Sequence, residues 1–328
     1  MSEPEVMTVA KLTEGTSFTG FLLVRSGEAR MGKTGSPYLD LNLGDRTGEI
    51  NCKKWNTAEQ VPAAGTVVKV MGRTENYNGR LQFRIEKLRA ATPADPVDMS
   101  LLVPAAPEKP EDMRREIDET IDRFASEDLK KLVREMIQRA GDELNWFPAA
   151  QRLHHAERSG LLHHTVSMLR LAEHVLQAYP VLQGDLLRAG VIVHDLCKIQ
   201  EMKSDALGNV QDYSKDGLLI GHLVRGVTAL RQAADAVGVQ GELVLLMEHM
   251  MLSHHGIPEY GSPRAPMFLE AEVLHWLDIL DARINEMGGI QDRTPAGAFS
   301  EKIWSLDRRV YHPLYGEALG ETAVSLDR

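Results

Sequence analysis

Residues 191–198 read Val191-Ile-Val-His194-Asp195-Leu-Cys197-Lys198, an apolar run that ends in an adjacent imidazole and carboxylate. Histidine and aspartate are typical ligands of divalent transition metals, and a carboxylate can bridge the two ions of a dinuclear site. Lys198 follows one helical turn after His194 and adds a cation beside the expected substrate site. The segment therefore predicts a metal centre.

The same part of the chain holds further imidazoles and carboxylates. From Glu111 onward, apolar residues recur at helical spacing, which predicts an all-helical region. An isolated histidine on an apolar helix face is more often structural than a ligand, but several such positions in one region favour a metal site. The candidates in this region are His163-His164, His222, His254-His255, Asp278 and Asp281.

Helical geometry separates neighbouring candidates. His164 shares a predicted helix face with apolar residues such as Met168 and is expected to point inward, whereas His163 lies on a more polar stripe. Asp278 lies on an inward face, where a carboxylate needs a partner that a metal ion can provide. We therefore favour His164 and Asp278 as ligands. Whether His163 or Asp281 assists at the metal is left open by the sequence.

The amino-terminal part has a different pattern, with short alternating segments separated by turn signals such as Asp45-Arg-Thr-Gly48 and Asn76-Tyr-Asn-Gly79. Five short strands are typical of a small Greek-key barrel, and their order resembles the OB-fold. The predicted strands are Ser17–Arg30, Tyr38–Leu43, Glu49–Trp55, Thr66–Gly72 and Leu81–Leu88.

The chain of 328 residues is therefore predicted to be multidomain. Residues 1–90 form a small all-β OB-fold barrel that binds nucleic acid, residues 91–110 form a proline-rich linker, and residues 111–328 form an all-α helical bundle.

Charge and histidine are unevenly distributed between these parts. Residues 1–90 carry 13 Lys/Arg and 10 Asp/Glu, whereas the whole chain has a net charge of −10 and all 12 histidines lie at or beyond His154. A basic barrel suits a polyanion, and an acidic, histidine-rich bundle suits cations.

OB-folds commonly bind single strands through basic and aromatic side chains on one barrel face. The alternative for any one of these residues is that the aromatics Phe18, Phe21 and Phe83 fill the barrel and the charges only solvate it. The candidates that we favour are Tyr38, Lys53, Trp55, Arg73, Tyr77 and Arg84, with Phe21, Arg30 and Lys33 as further candidates.

The location predicted from the sequence is cytoplasmic. The amino terminus lacks the basic start and apolar run of a secretory signal, and no apolar stretch is long enough to span a membrane. Cys52 and Cys197 are far apart and are expected to be reduced thiols.

The ordered set His164, His194-Asp195 and Asp278 resembles the HD-domain metal-dependent phosphohydrolases, so the helical bundle is expected to be of the HD type. Finer motifs, together with the amino-terminal OB-fold, are similar to the YhaM-type 3′-to-5′ exoribonucleases over about residues 10–315. Those motifs are Gly160-Leu-Leu-His-His-Thr165, His194-Asp-Leu-Cys-Lys198, Gly221-His222, Leu252-Ser-His-His-Gly256, Tyr260-Gly-Ser-Pro263 and Leu280-Asp-Ala-Arg-Ile-Asn285. Cys197 stands where this family usually has glycine and His163 where it often has glutamate, which puts metal preference in doubt.

The resemblance implies that the chain binds two divalent ions. Mn²⁺ is the expected metal, and Co²⁺, Fe²⁺, Ni²⁺ and Zn²⁺ are the alternatives. Asp195 is expected to bridge them, and Lys198 to act with it in catalysis. The remaining ligands would be His164, His194 and Asp278 on one ion, and His222, His254 and His255 on the other.

The implied reaction is 3′-to-5′ hydrolysis of single-stranded RNA, or single-stranded DNA, to nucleoside 5′-monophosphates, in a chain that forms a homo-oligomer and contacts no membrane. His154, His155 and Arg264 are weaker candidates for contacts with the substrate backbone. The other histidines, His174, His249, His275 and His312, are assigned to structure.

Two alternatives stay open. One is an HD-type phosphohydrolase or phosphodiesterase of a small nucleotide, with the barrel serving only in assembly. The other is a non-catalytic nucleic-acid-binding adaptor whose helical domain is a scaffold, which would bind a strand without turnover.

Overall fold

The computed structural model describes residues 7–32, 35–151 and 153–315. The chain divides into two compact units, Met1–Pro104 and Ala105–Arg328, and the division lies within the proline-rich segment 91–110. Each unit is described by itself below.

The first unit is a closed five-stranded barrel with the strand order β1-β2-β3-β5-β4. Neighbouring strands are antiparallel except β3 and β5, which pair in parallel. All five predicted strands are present, so the OB-fold prediction is confirmed. Their bounds are β1 Ser17–Met31, β2 Pro37–Asp45, β3 Gly48–Trp55, β4 Val67–Tyr77 and β5 Arg80–Ala90.

Alternation of side chains builds the barrel core. In β2, Leu39, Leu41 and Leu43 are fully buried, while the residues between them face outward. Phe83 of β5 fills the interior and packs edge-on against Phe18, with ring centroids 6.0 Å apart. The interpretation of these two aromatics as barrel filling therefore agrees with their positions.

Two local features set the β4–β5 hairpin. Asn78 and Gly79 both have positive φ, at 52° and 78°, as a tight hairpin turn requires. At Gly72 the strands approach so closely that an added Cβ would lie 2.1 Å from the carbonyl oxygen of Arg84.

The second unit is helical, as predicted. Its long amphipathic helices enclose a core that includes most of α4, which packs against α2, α3, α8 and α9. The helices are α1 Pro110–Asp122, α2 Glu127–Ala140, α3 Gly160–Ala178, α4 Gly184–Val193, α5 Lys198–Glu201, α6 Lys215–Leu219, α7 Gly221–Val237, α8 Glu242–Ser253 and α9 Leu269–Gln291.

A short hairpin of β6, Met202–Ser204, and β7, Val210–Tyr213, interrupts the helices. The sequence analysis did not predict it, because strands of three and four residues are too short to establish a period. Within the described residues, none of the helices combines the length and apolarity needed to cross a membrane.

Candidate metal centre

The His194-Asp195 dipeptide lies in the turn between α4 and α5, where the buried helix α4 delivers both side chains into the interior. Nδ1 of His194 donates a hydrogen bond to the carbonyl oxygen of Val191 at 2.8 Å, which leaves Nε2 as the free nitrogen. That Nε2 lies 3.3 Å from Oδ2 of Asp195, and both side chains are almost completely buried.

The two carboxylate oxygens of Asp195 face two different groups of side chains. Oδ2 lies 3.3 Å from Nε2 of His194 and 3.7 Å from Nε2 of His164. Oδ1 lies 3.3 Å from Nε2 of His222 and 3.7 Å from Nε2 of His254. The carboxylate therefore stands between two pairs of imidazoles.

On the Oδ2 side, α3 supplies His164 and α9 supplies two aspartates. Oδ1 of Asp278 lies 3.3 Å from Nε2 of His164, on the same side of the ring as Asp195. Oδ2 of Asp281 lies 2.7 Å from Nδ1, on the opposite side, and accepts a hydrogen bond from it. Asp281 therefore holds the ring with Nε2 facing the centre, an arrangement common behind metal-binding histidines.

On the Oδ1 side, His222 belongs to the first turn of α7, and its Nδ1 lies 2.8 Å from Oε2 of Glu201. His254 follows α8 and donates from Nδ1 to the carbonyl oxygen of Met251 at 2.8 Å. His255 donates from Nδ1 to the carbonyl oxygen of Tyr260 at 2.7 Å. His254 and His255 are thus fixed by a hydrogen bond through Nδ1, and the ring of His222 lies within ion-pair distance of Glu201.

The buried atoms that face this centre lack partners. Nε2 of His164, His194, His222 and His254 and Oδ1 of Asp195 have no hydrogen-bond partner among the described residues. Buried polar atoms are nearly always paired, and each unpaired one costs about 1–3 kcal/mol. A cation among them would satisfy all five, so the residues fit a bound metal ion.

Two of the groups of donor atoms that are compact enough for such an ion contain Asp195. Within each group every pair of atoms lies within 4.8 Å, and Asp195 belongs to both. Imidazole and carboxylate together suit divalent transition metals. The groups are His164, His194 and Asp195, and Asp195, His222, His254 and His255.

Electrostatics keep the acids ionised. Burial alone would raise the pKa of Asp195. The charges of Lys198 and His194 outweigh burial and hold this pKa well below its usual range. Burial opposes the charged form of His164, yet Asp278 and Asp281 outweigh it and raise the pKa of that imidazole to about 9. Burial lowers the pKa of His255 to about 4, so this ring is neutral and able to bind a cation near neutral pH.

The structure brings every predicted metal ligand to this centre, since His164, His194, Asp195, His222, His254, His255 and Asp278 all lie around it. Lys198, the other predicted catalytic residue, is buried, and its Nζ lies 2.6 Å from Oδ2 of Asp195.

The weaker candidates are dispersed. The ring of His154 lies 5.6 Å from that of His164, whereas Arg264 is exposed. His163 lies outside the two groups around Asp195. His275 has a structural contact, because its Nδ1 donates to the carbonyl oxygen of His254 at 2.7 Å.

Sequence reasoning missed Glu201 and left the role of Asp281 open. The amide of His222 also donates to Oε1 of Glu201 at 3.2 Å, so this glutamate holds both the backbone and the ring. A carboxylate one short helix after the His-Asp dipeptide was the only available signal, and it does not reveal which imidazole it will reach.

The barrel unit gathers the nucleic-acid candidates on its outer surface. Lys53 of β3 pairs in register with Arg84 of β5, which pairs in turn with Arg73 of β4. Directly opposed residues of neighbouring strands project from the same face, so these three cations form one row. Tyr77, 62% exposed, lies four residues further along β4.

An aromatic pair lies beside this row. Tyr38 stacks on Trp55 with centroids 4.4 Å apart, and Nζ of Lys53 lies 5.1 Å from the Tyr38 ring. Trp55 is 41% exposed, whereas Tyr38 is buried and supports it from behind. Asp40 offsets some of the positive charge, since its Oδ2 lies 3.3 Å from Nζ of Lys53. The candidate Lys33 lies outside the described residues.

Both units match known domain families. Residues 20–91 match the model of the OB-fold nucleic acid binding domain, and residues 161–283 match that of the HD domain. Among solved structures, a domain of replication protein A from Methanococcus maripaludis is 22% identical and covers 26% of this chain and 92% of its own. Its TM-score of 0.24 is too low to add to the fold assignment.

Two relatives that match about nine tenths of the chain have the same name. The 3′-5′ exoribonuclease YhaM of Geobacillus sp. (strain WCH70) is 37% identical over 303 residues, which cover 91% of this chain and 93% of the relative. The 3′-5′ exoribonuclease YhaM of Listeria monocytogenes serotype 4b (strain CLIP80459) is 39% identical over 299 residues, which cover 90% and 95%. With an OB-fold barrel, an HD domain and this identity over nine tenths of its length, the chain belongs to the family of the 3′-5′ exoribonuclease YhaM.

Proposed function

We propose that the chain is a metal-dependent 3′-to-5′ exoribonuclease that hydrolyses single-stranded RNA, with single-stranded DNA as an alternative substrate, to nucleoside 5′-monophosphates. The observation that carries this proposal is Asp195, whose two oxygens face two pairs of buried imidazoles with unpartnered Nε2 atoms. Relatives that match about nine tenths of the chain are named 3′-5′ exoribonucleases, which also supports the proposal.

The proposed ligands divide at this aspartate. His164, His194 and Asp278 would hold one divalent ion and His222, His254 and His255 would hold the other, with Asp195 available to both. Two such ions supply Lewis acidity and neutralise charge that develops on the phosphoryl oxygens. Mn²⁺ is the proposed metal, and Co²⁺, Fe²⁺, Ni²⁺ and Zn²⁺ are the alternatives to be compared with it.

Lys198 is proposed to act beside Asp195. Burial alone would lower the pKa of this lysine. The charges of Asp195 and Asp278 outweigh burial and raise the pKa, so the ammonium group stays charged. A fixed positive charge 2.6 Å from Asp195 orients that carboxylate and can attract a phosphate oxygen of the substrate. Lys198 would then contribute to both positioning and transition-state charge.

The barrel is proposed to bind the strand. Exposed Trp55 offers a face on which a base can stack, and the row of Lys53, Arg84 and Arg73 offers cations for phosphates. Because every base has a stacking face, this surface suits single strands of varied sequence. Residues 1–90 would thus serve in binding and residues 111–328 in hydrolysis, joined by the linker 91–110.

The proposal includes a homo-oligomer formed by a second copy of the chain. Four apolar residues form an exposed stripe along one side of α9, where Trp276 is 58% exposed. Glu272 and Arg283 stand near opposite ends of the stripe, so an antiparallel pairing of two copies of α9 brings unlike charges together. The stripe consists of Leu269, Trp276, Leu280 and Ile284.

A cytoplasmic location is part of the proposal. Cys52 and Cys197 are both free thiols and buried, which fits a reducing compartment.

The decisive experiment incubates 5′-labelled single-stranded RNA with Mn²⁺ and compares the wild type with Asp195→Asn. We expect a ladder of products shortened by one nucleotide at a time, which the variant fails to produce. His174→Ala, a change at an exposed histidine of α3, is the matched control and should leave the ladder intact. An untouched RNA beside turnover of a small-nucleotide panel would contradict the proposal, as would strand binding without any turnover.

A further inference from the structure

A second cluster of ligand-type side chains lies beyond Asp281, on the side away from Asp195. It consists of His155, Glu157 and His163, called here the rim cluster. His155 Nε2 lies 2.8 Å from the same Asp281 oxygen that lies 2.7 Å from His164. The rim cluster shares no residue with the two groups proposed to bind ions around Asp195.

The backbone of His155 is held in an unfavourable conformation. Its φ is +49°, in the left-handed region that residues with a Cβ rarely adopt. Its amide donates to Oδ1 of Asn285 at 2.9 Å, and its carbonyl oxygen accepts from the amide of Ala149 at 3.1 Å. Only glycine fits at Gly160, because an added Cβ would lie 2.0 Å from that carbonyl oxygen. Such enforced strain clusters at functional sites.

The contacts of His155 fix which ring nitrogen carries the proton. Nε2 lies 2.8 Å from the carboxylate of Asp281, which accepts a hydrogen bond from it, so Nε2 is the nitrogen that carries the proton. Nδ1 is therefore the lone-pair nitrogen. It lies 3.1 Å from Nδ1 of His163 and 3.3 Å from Nδ2 of Asn285, so the lone pair of this buried, immobilised ring faces a second imidazole and a side-chain amide.

The spacing of the three donor atoms matches one metal ion. Nδ1 of His155 and Nδ1 of His163 are 3.1 Å apart, and Oε1 of Glu157 lies 3.4 Å from the latter and 4.0 Å from the former. Metal–ligand bonds of about 2.0–2.2 Å at tetrahedral or octahedral angles place neighbouring ligand atoms about 3.0–3.5 Å apart, and wider angles increase that separation.

In the absence of an ion, Nδ1 of His155 is shared between Nδ2 of Asn285 at 3.3 Å and Nδ1 of His163 at 3.1 Å. If the proton of His163 Nδ1 points at His155, it cannot also point at Glu157, whose distance of 3.4 Å is long for a charge-assisted hydrogen bond. One cation would satisfy both imidazole lone pairs and the carboxylate together. The side chains of His163 and Glu157 are partly exposed, which leaves room for water to complete the coordination.

We propose that the rim cluster binds a further divalent transition-metal ion through Nδ1 of His155, Nδ1 of His163 and the Glu157 carboxylate. Two imidazoles and one carboxylate select ions of the Mn²⁺ to Zn²⁺ series over Mg²⁺ or Ca²⁺. The chain His155–Asp281–His164 connects this ion to the centre around Asp195, so its binding tunes His164 through the shared carboxylate.

The test counts ions in the full-length chain after equilibrium dialysis against Co²⁺, by elemental mass spectrometry. His163→Ala and Glu157→Ala should each bind one ion fewer than the wild type. His174→Ala removes an exposed histidine from the same helix as His163 and should leave the count unchanged. Circular dichroism identifies any variant that does not fold. If one of the two rim variants does not fold, the ion count of the other one tests the proposal.

A second arm separates this proposal from the proposed centre. Asp195→Asn should lower the count, and adding His163→Ala to it should lower the count by one more ion. Equal counts in the wild type and both folded rim variants would overturn the rim site while leaving the centre around Asp195 intact. A count that Asp195→Asn leaves unchanged would overturn that centre and not the rim site.

Discussion

Oδ2 of Asp281 lies 2.7 Å from Nδ1 of His164, on the side of the ring opposite Asp195. This carboxylate fixes the tautomer and the direction of the imidazole without facing the centre itself. Asp281→Asn keeps the size of the side chain and removes its charge. We expect the affinity for the ion on the His164 side to fall about 10- to 100-fold. Calorimetric Mn²⁺ titration measures this, and an unchanged affinity would show that Asp281 does not position the ring.

Glu201 plays the corresponding part on the other side, where it contacts the ring and the amide of His222. Glu201→Gln should lower the affinity for the ion on the His222 side about 10- to 100-fold and leave the affinity for the ion on the His164 side unchanged. The same titration tests it, with Glu248→Gln, a change at the partner of Arg231, as the control. An equal loss of affinity for both ions would argue against a division of the site at Asp195.

Trp55 should carry base stacking on the barrel. Trp55→Ala is expected to cost about 1–3 kcal/mol of binding free energy for a single-stranded oligonucleotide, as loss of one stacked base does. Fluorescence anisotropy with a labelled strand measures the change in Kd. Trp304→Ala removes a 77% exposed tryptophan from the other unit and should leave Kd unchanged. Equal effects of the two substitutions would count against Trp55 as the stacking site.

Trp276 lies in the middle of the exposed apolar stripe on α9. Trp276→Glu places a charge where two copies would pack, so it should shift the chain from oligomer to monomer at micromolar concentration. Sedimentation velocity measures the distribution. A monomeric wild type, or an oligomer unaffected by this substitution, would refute this interface.

Gly72 permits the close approach of β4 and β5. Gly72→Ala places a Cβ 2.1 Å from the Arg84 carbonyl oxygen, and the strands must separate. We expect the barrel to lose about 1–3 kcal/mol of unfolding free energy, a common cost of overpacking. Urea denaturation followed by circular dichroism measures it. Gly289→Ala in α9, where an added Cβ meets no atom within 4 Å, should be neutral or stabilising.

The sequence predicted the strands, the helices and the side chains that meet around Asp195 better than the contacts that hold those side chains in place. Alternation located all five barrel strands to within a few residues, because each has one face in a closed core. Helical periodicity favoured His164 over His163, and Nε2 of His164 lies 3.7 Å from Asp195. Periodicity placed Asp278 and Asp281 on one face, and the family resemblance singled out Asp278, which lies 3.3 Å from Nε2 of His164. These patterns are local, so a single sequence contains them.

The supporting contacts could not be predicted in the same way. Asp281 and Glu201 reach imidazoles that are 117 and 21 residues away along the chain, so their roles depend on how helices pack. Nothing local indicates that His155 adopts positive φ either, since the surrounding chain enforces it. Partners that arise from tertiary packing leave no periodic signal.

The carboxylates that contact the imidazoles also determine the net charge that the centre would have with two ions bound. Four carboxylates, those of Asp195, Asp278, Asp281 and Glu201, contact its imidazoles, and the buried ammonium of Lys198 is the nearest fixed cation to Asp195 among its described contacts. Two divalent ions would balance the four carboxylates, leaving the single positive charge of Lys198. An internucleotide phosphate carries one negative charge, so it would make the assembly neutral, whereas a terminal phosphomonoester carries more. The centre is in this sense matched in charge to a diester, whereas a bound monophosphate product would leave the assembly with a net negative charge.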